Sequence, residues 1–271
     1  MQRKIFLIAF CCLSFIKIFA QQPQAMSEKD RKKEERKQHI AELIKREEEG
    51  TLIYNKQFLF GFKLNTDGWG VQYEHGKYKT LTTTNTWFAE FGERKSHKEE
   101  KITPTDISTG FPVGNAFVYG KQNNFYYLNV GIGQQRLLGG KGTKNGIAVS
   151  AIYGGGFSMG LLKPYYVTVY DPNTNNTFDV KYQGPGDSLF LYYPISAAGI
   201  GKGVSETKIV PGVVAHLGLR FDYGRYNELL SAIEIGISAE YYSQSMPIMV
   251  DAPDKKFFYN SYIAIEFGGR K

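Results

Sequence analysis

From about residue 56 to the C-terminus, apolar and polar positions alternate with a period of two, in short runs. That is the pattern of strands with one apolar and one polar face. The stretch "HLGLRFDYGRYNELLSAIEIGISAEYY", residues 216–242, shows it clearly. Leu217, Leu219, Phe221 and Tyr223 alternate with Gly218, Arg220 and Asp222; after a polar break, Ile233, Ile235, Ile237 and Ala239 alternate with Glu234, Gly236, Ser238 and Glu240. Eight such strands are predicted, at about 56–64, 69–78, 83–94, 124–136, 146–162, 209–223, 230–242 and 257–268. The Gly154-Gly155-Gly156 run inside the fifth predicts a bulge or bend.

The connections alternate in length. They are short after the second, fourth and sixth strands, long after the third and fifth, and intermediate after the seventh; only the first hairpin, with its "NTDG" turn, departs from the rule. Short turns at one end and long loops at the other are the habit of a transmembrane β-barrel. An even strand number returns both chain ends to one side, which a barrel of this kind places in the periplasm.

Sorting by parity sharpens the picture. One face gathers Phe58, Phe60, Phe62, Trp87, Phe91, Val130, Ile132, Phe157, Leu217, Leu219, Ile233, Ile235, Ile237, Ile263 and Ile265, with no charge in the strand cores. The other gathers Lys63, Glu74, Glu90, Arg94, His216, Arg220, Asp222, Glu234, Glu240 and Glu266, interleaved with glycine. In a membrane barrel the first face meets lipid, and the second fills a narrow lumen where glycine makes room for long neighbours. A soluble lipocalin-like barrel would reverse the faces, and ionic groups interleaved with glycine sit poorly on a soluble exterior. Aromatic residues near the strand ends predict two interfacial belts: Phe125, Tyr126, Tyr241, Phe257 and Tyr259 at one rim, and Tyr54, Tyr78, Phe221, Tyr223, Tyr226 and Phe267 at the other. The expected fold class is therefore all-β, an eight-stranded antiparallel meander barrel over residues 54–271.

Two segments precede the barrel. Residues 1–20 join a basic start, "MQRK", to an apolar run too short to span a bilayer and end in "IFA". This reads as a secretory signal peptide cut after Ala20. Both cysteines, Cys11 and Cys12, lie inside it, so the expected mature chain has no thiol and no disulfide. Its loss removes Arg3, Lys4 and Lys17 and lowers the formal charge from +7 to +4, too small an excess to argue for nucleic acid. Residues 21–53 are the expected periplasmic helical extension. Within it, 27–50 carry eight acidic and eight basic side chains, a Ser27 cap and a narrow stripe of Ile40, Leu43 and Ile44. Such a segment reads as a solvated helix or tether, or as a docking helix for a protein partner.

The strand pattern resembles small outer-membrane β-barrel proteins, the OmpA/OmpX-like barrels and the aromatic-rich barrels of Bacteroidota. The resemblance covers residues 54–271 and rests on pattern rather than on a signature motif. It implies a place in the cell outer membrane among its lipids. Proteins of this kind often end in an aromatic residue resembling an assembly signal; here Phe267 stands four residues before the end.

Candidate chemistry is thin. The charges of the inward face are expected to form a salt-bridge network, because isolated buried ions are costly. His216 and Ser238 are the least poor pairing for a hydrolase, and "GGKGTKNG" lacks the ending of a phosphate loop. No catalytic residue, metal or cofactor is expected. A non-enzymatic barrel follows, structural or interacting through its outer loops and its tail. The alternatives are an accessory subunit of an outer-membrane assembly or secretion complex, a narrow channel, and a lipid-modifying enzyme. Protein contacts are expected through residues 27–50 or the loop 163–208.

Overall fold

The strands close on themselves. In a computed structural model describing residues 28–49, 55–80, 82–106, 108–141, 146–224 and 228–271, the chain forms β1 (Lys56–Asn65), β2 (Gly68–Tyr78) and β3 (Thr83–Arg94). The short β4 (Lys101–Ile102) and β5 (Phe117–Val118) come next, then β6 (Asn123–Gly139) and β7 (Ala148–Pro164). A second excursion holds β8 (Tyr166–Asp171), β9 (Asn176–Lys181) and β10 (Pro194–Ala197). The series ends with β11 (Lys208–Asp222), β12 (Leu229–Met246) and β13 (Lys255–Arg270). Eight of these make a closed barrel in the order β1-β13-β12-β11-β7-β6-β3-β2. Every neighbour pair is antiparallel, and β1 seals against β13 with Phe60 opposite Phe267 and Phe62 opposite Ile265. The eight expected strands are these eight: the third matches residue for residue, β6, β12 and β13 run longer, and β7 and β11 keep the expected length with bounds shifted by one or two residues.

Exposure inverts the order of a soluble protein. Phe60 is 57% exposed, Ile132 74% and Phe157 79%, while Arg94 and Arg220 are each 1% exposed and Glu266 is fully buried. Leu217, Leu219, Ile233, Ile235, Ile237, Ile263 and Ile265 all stand outward on adjacent strands. A continuous apolar girdle of this kind far exceeds the few hundred Å² that a soluble monomer exposes. It fits the lipid-facing band of a membrane barrel.

Wall height is uneven. β1, β2 and β3 have 10, 11 and 12 residues, close to the roughly 9–11 that cross a bilayer. β6, β7, β11, β12 and β13 have 17, 17, 15, 18 and 16. At their ends nearest the long connections the inward positions are apolar: Phe125, Leu162, Val210, Tyr242, Met246 and Phe258 form one buried cluster. Phe125, expected at the rim, therefore points into the lumen. Tyr78 also turns inward, its hydroxyl donating to Gln57 Oε1 at 3.1 Å. Tyr54 and Tyr226, like residues 1–20 and Ser27, lie outside the described residues.

The glycine run makes no bulge. Register passes unbroken from Leu162 to Ala148 against β11, with Gly154, Gly155 and Gly156 opposite His216, Ala215 and Val214. Close approach is the reason for these glycines. A Cβ on Gly156 would lie 2.2 Å from the Val130 carbonyl oxygen and 2.4 Å from the Gly131 Cα, its cross-strand partner.

The long connections are not extensions of the wall. Tyr166, Val167 and Val169 belong to a separate three-stranded sheet, β10-β8-β9. A helical turn, α2 (Ser188–Tyr192), covers it, capped by Asp187, whose side chain accepts from the Phe190 amide at 3.2 Å. Phe117, Val167, Val169 and Phe190 form a second small core, with Tyr165, Val180, Tyr182, Leu191 and Ala197 against it. Hydrogen bonds join the connections: Ala197 N–H to Asn115 O at 3.1 Å, Gln122 N–H to Ile248 O at 2.8 Å, and Asn123 Nδ2 to Pro247 O at 2.8 Å. A buried ion pair, Lys121–Glu99 at 2.7 Å, adds to them. The loops thus form a folded cap.

The N-terminal segment is helical. Its helix, here α1 (Glu28–Glu49), has Glu28 and Asp30 in its first turn, favourable to the helix dipole. Arg31 and Glu35 pair across one turn at 3.4 Å, both well exposed. The side chains of Ile40, Leu43 and Ile44 lie outside the described residues.

Ile235→Asp puts a carboxylate into the lipid band and should sharply reduce the folded fraction in isolated membranes, whereas Glu234→Gln on the adjacent inward position should leave most of it intact. Phe190→Ala empties the cap core, a change of roughly 3–5 kcal/mol in a well-packed site; limited proteolysis should then cut within residues 165–207 while the barrel strands stay protected.

Candidate functional site

Among the described residues, the chemistry-bearing groups converge in the barrel interior. At its centre the Arg220 guanidinium meets three carboxylates: Glu74 Oε2 at 2.9 Å, Glu234 Oε2 at 2.8 Å and Glu266 Oε2 at 2.6 Å. Glu234 sits directly across from Arg220 on β12, so register alone brings that pair together. Glu266 comes from β13, the strand beyond β12, and Glu74 from β2, across the lumen. Gln135 Oε1 accepts from Arg220 Nη1 at 3.2 Å, and Gln57 Nε2 donates to Gln135 at 2.8 Å. Gln72 Nε2 donates to Glu266 Oε1 at 2.6 Å.

A second pair lies beside the first. Lys63 Nζ reaches Glu90 Oε2 at 3.0 Å and sits 3.8 Å from the centroid of the Tyr262 ring. Tyr262 donates its hydroxyl to Glu234 Oε1 at 2.6 Å, which ties the two groups into one network. Nearer the apolar plug, Arg94 bridges Glu240 at 2.7 Å and Asp67 at 2.6 Å, with its guanidinium 4.5 Å from the Tyr127 ring centroid. Tyr127 in turn donates to Glu90 Oε1 at 2.7 Å. Each of these buried ions so has a counter-ion and further hydrogen bonds, the condition under which buried charge is tolerated.

The ten charged or ionisable positions picked from sequence do not all join this network. Lys63, Glu74, Glu90, Arg94, Arg220, Glu234, Glu240 and Glu266 do. Asp222 stands at the other end of the lumen, held by Arg270 at 2.6 Å and Lys141 at 3.3 Å. His216 makes no ion pair among the described residues; its ring meets Phe88 edge-on at 4.7 Å. Ser238 lies directly across the strand pair from His216, yet its hydroxyl finds no hydrogen-bond partner among the described residues. The two do not form a nucleophile–base couple.

Sequence reasoning missed Asp67, Tyr242 and Tyr262. Parity marks both tyrosines, since Tyr262 shares a face with Glu266 and Tyr242 with Glu240, but Tyr242, at the end of its expected strand, reads more readily as an interfacial ring, and Tyr262 carries no charge to single it out. The structure also refines the part played by glycine. Cross-strand glycine pairs lie beneath the inward tyrosines: Gly218 opposite Gly236 under Tyr262, and Gly70 opposite Gly92 under Tyr127. A Cβ on Gly236 would stand 2.6 Å from the Tyr262 hydroxyl.

Among Lys63, Gln72, Glu74, Phe88, Glu90, His216, Glu234 and Tyr262 there is a cavity of about 10 Å³, roughly one water. Leu59, Leu230 and Ala232 pack beyond the charge cluster toward the short-turn end, and the Phe125, Tyr242 and Phe258 rings meet edge-on or tilted across the other.

Outside the membrane span, local geometry tunes single carboxylates of the cap. The backbone N–H and hydroxyl of Ser108, with the Thr109 hydroxyl, hold Asp106 below the usual carboxylate range. The Asn173 backbone N–H and the Thr174 hydroxyl do the same for Asp171. Both shifts are depressions, so each turn is supported above the ordinary carboxylate range and loses that support as pH falls through the lowered value.

No known family model matches the chain, and no curated protein matches it by sequence. Similar solved structures exist. A major outer membrane protein from Thermus thermophilus is 9% identical, over 80% of this chain and 99% of that one, with a TM-score of 0.41. Neisserial surface protein A is 5% identical over 80% and 96%, with a TM-score of 0.38. The attachment invasion locus protein of Yersinia pestis, Ail, is 8% identical over 81% and 100%, with a TM-score of 0.35. The eight-stranded barrel is what this chain shares with these small outer-membrane proteins.

Arg220→Met leaves three glutamates facing one another. Removing one partner of a buried ion pair costs roughly 3–5 kcal/mol, so the urea midpoint of the refolded barrel should fall markedly. Adding Glu74→Gln and Glu266→Gln to Arg220→Met should recover much of that loss; a triple variant no more stable than the single one would show that the charge cluster is not what Arg220 supports.

Proposed function

We propose that this protein is a non-enzymatic outer-membrane barrel that displays a folded extracellular cap, with both chain ends and the charged helix on the periplasmic side. The observation that carries the reading is the pairing of an apolar exterior with a lumen filled by its own side chains. The exterior calls for lipid on all sides. The interior holds a lattice of ion pairs, closed by apolar residues above and below, and the cavity beside Lys63 and His216 has room for about one water. Such a lumen stiffens the wall and fixes strand register, and it offers no continuous route for ions.

Function then falls to the surfaces outside the bilayer. The cap has its own core and presents Phe111, Tyr192, Ile195 and Ile200, all exposed. Pre-ordered loops of this kind suit protein contact at the cell surface, because little conformational entropy is lost on binding. The charge-balanced helix Glu28–Glu49, exposed over residues 28–38, supports a second contact on the inner side. Catalysis finds no support: His216 and Ser238 are not hydrogen-bonded to each other, and His216 packs on Phe88.

Detergent-extracted protein should migrate faster in unheated than in heated gel samples, the mark of a closed barrel; identical migration would overturn the reading. Planar bilayers containing the purified protein should show no discrete conductance steps. Regular openings would favour the narrow channel instead.

A further inference from the structure

Below the apolar girdle, at the short-turn end, the outward face of the wall changes character. Lys56 on β1 stands directly opposite Lys77 on β2, and Lys77 is followed across β3 by Asn85. Asn85 pairs with Gln134 on β6, whose Nε2 donates to Asn85 Oδ1 at 3.0 Å. Arg136 is the next outward position on β6. The strand residues just inside this row are Phe58, His75 and Trp87, with His75 and Trp87 rings 6.0 Å apart. On β1, β2, β3 and β6 the outward ionic groups at this end are Lys56, Lys77 and Arg136, all basic; Glu93, the acidic outward residue of these strands, lies at the opposite end beside Trp69.

Two lysines placed directly opposite on antiparallel strands repel each other. No carboxylate among the described residues pairs with either of them. The arrangement makes sense if an anion sits between the two ammonium groups. Position identifies the chemistry of that anion. The lysines stand at the foot of an apolar wall of Phe58, Phe60 and Tyr73, where an acyl chain lies, so the negative group is at headgroup height. We propose that Lys56 and Lys77, with Asn85 beside them, bind the phosphodiester of an anionic phospholipid, its acyl chains lying along β1 and β2. The site rests on the outer-membrane reading above, which makes this the leaflet facing the periplasm.

The full-length protein in a mild non-ionic detergent, titrated with phosphatidylglycerol and separately with phosphatidylcholine, tests the site by native mass spectrometry. One tightly retained phosphatidylglycerol is expected, with phosphatidylcholine retained far more weakly. Lys56→Gln/Lys77→Gln should weaken phosphatidylglycerol binding roughly thirtyfold, taking about 1 kcal/mol for each lysine near the headgroup. Lys255→Gln/Lys256→Gln, at the opposite end of the barrel, should leave it unchanged. Equal retention of the two lipids, or an equal loss in both double variants, would overturn the proposal by showing diffuse charge or none. Soluble glycerol phosphate competing as well as the lipid would also overturn it, by locating the affinity in a free phosphate. All variants are checked for heat-modifiable migration, so that a failure of the barrel reading itself shows as an unshifted band rather than as lost lipid.

Discussion

A single guanidinium shared among three carboxylates organises this molecule. Arg220 lies at the centre of the lumen, and its partners come from β2, β12 and β13. Strands from opposite walls are therefore tied through one cation, over a distance no backbone ladder bridges. In a soluble protein the apolar core would do this work. Here the apolar side chains are turned toward lipid, where contact with neighbours is not driven by water. The polar lattice takes the place of the core, and its demand for full pairing explains the density of glutamine, tyrosine and glutamate facing inward.

Tyrosine is the second component. Tyr127 and Tyr262 each combine a ring that faces a cation with a hydroxyl that donates to a carboxylate. Each spans two ion pairs that would otherwise be separate. The glycine pairs beneath them are the matching recess. Ring and recess make an interior that is rigid by shape as well as by charge.

Much of the fold was legible because period-two alternation is a strong signal when it persists over eight strands. The eight luminal network residues were readable from parity alone, since a one-residue error would put every charge into lipid. Three features escaped for physical reasons. The cap strands β8–β10 are short and lie inside polar loops, and their small core depends on Phe117, far back in the chain from its partner Val167. The inward turn of Phe125 and Phe258 was hidden because aromatic residues near strand ends suit an interface and a plug equally well. The glycine run suggested a bulge because a sequence does not reveal that Gly131 lies across from Gly156.

The seam between the first and last barrel strands carries a kinetic consequence. Lys56 and Lys271 exchange backbone hydrogen bonds at 2.8 Å in both directions, so pairing there joins residues about as far apart in the chain as the barrel allows. Contacts of that sequence separation are slow to form, because the whole intervening chain must first be ordered. Lys63 on β1 can reach Glu90 on β3 once the first three strands are paired, whereas Arg220 reaches Glu266 only when the last strand is in place. The charge lattice can therefore start strand by strand, but it cannot be complete before closure. It completes in one late event, and until then its unpaired ions make an open sheet a poor guest in the bilayer, which discourages partly closed forms from accumulating there.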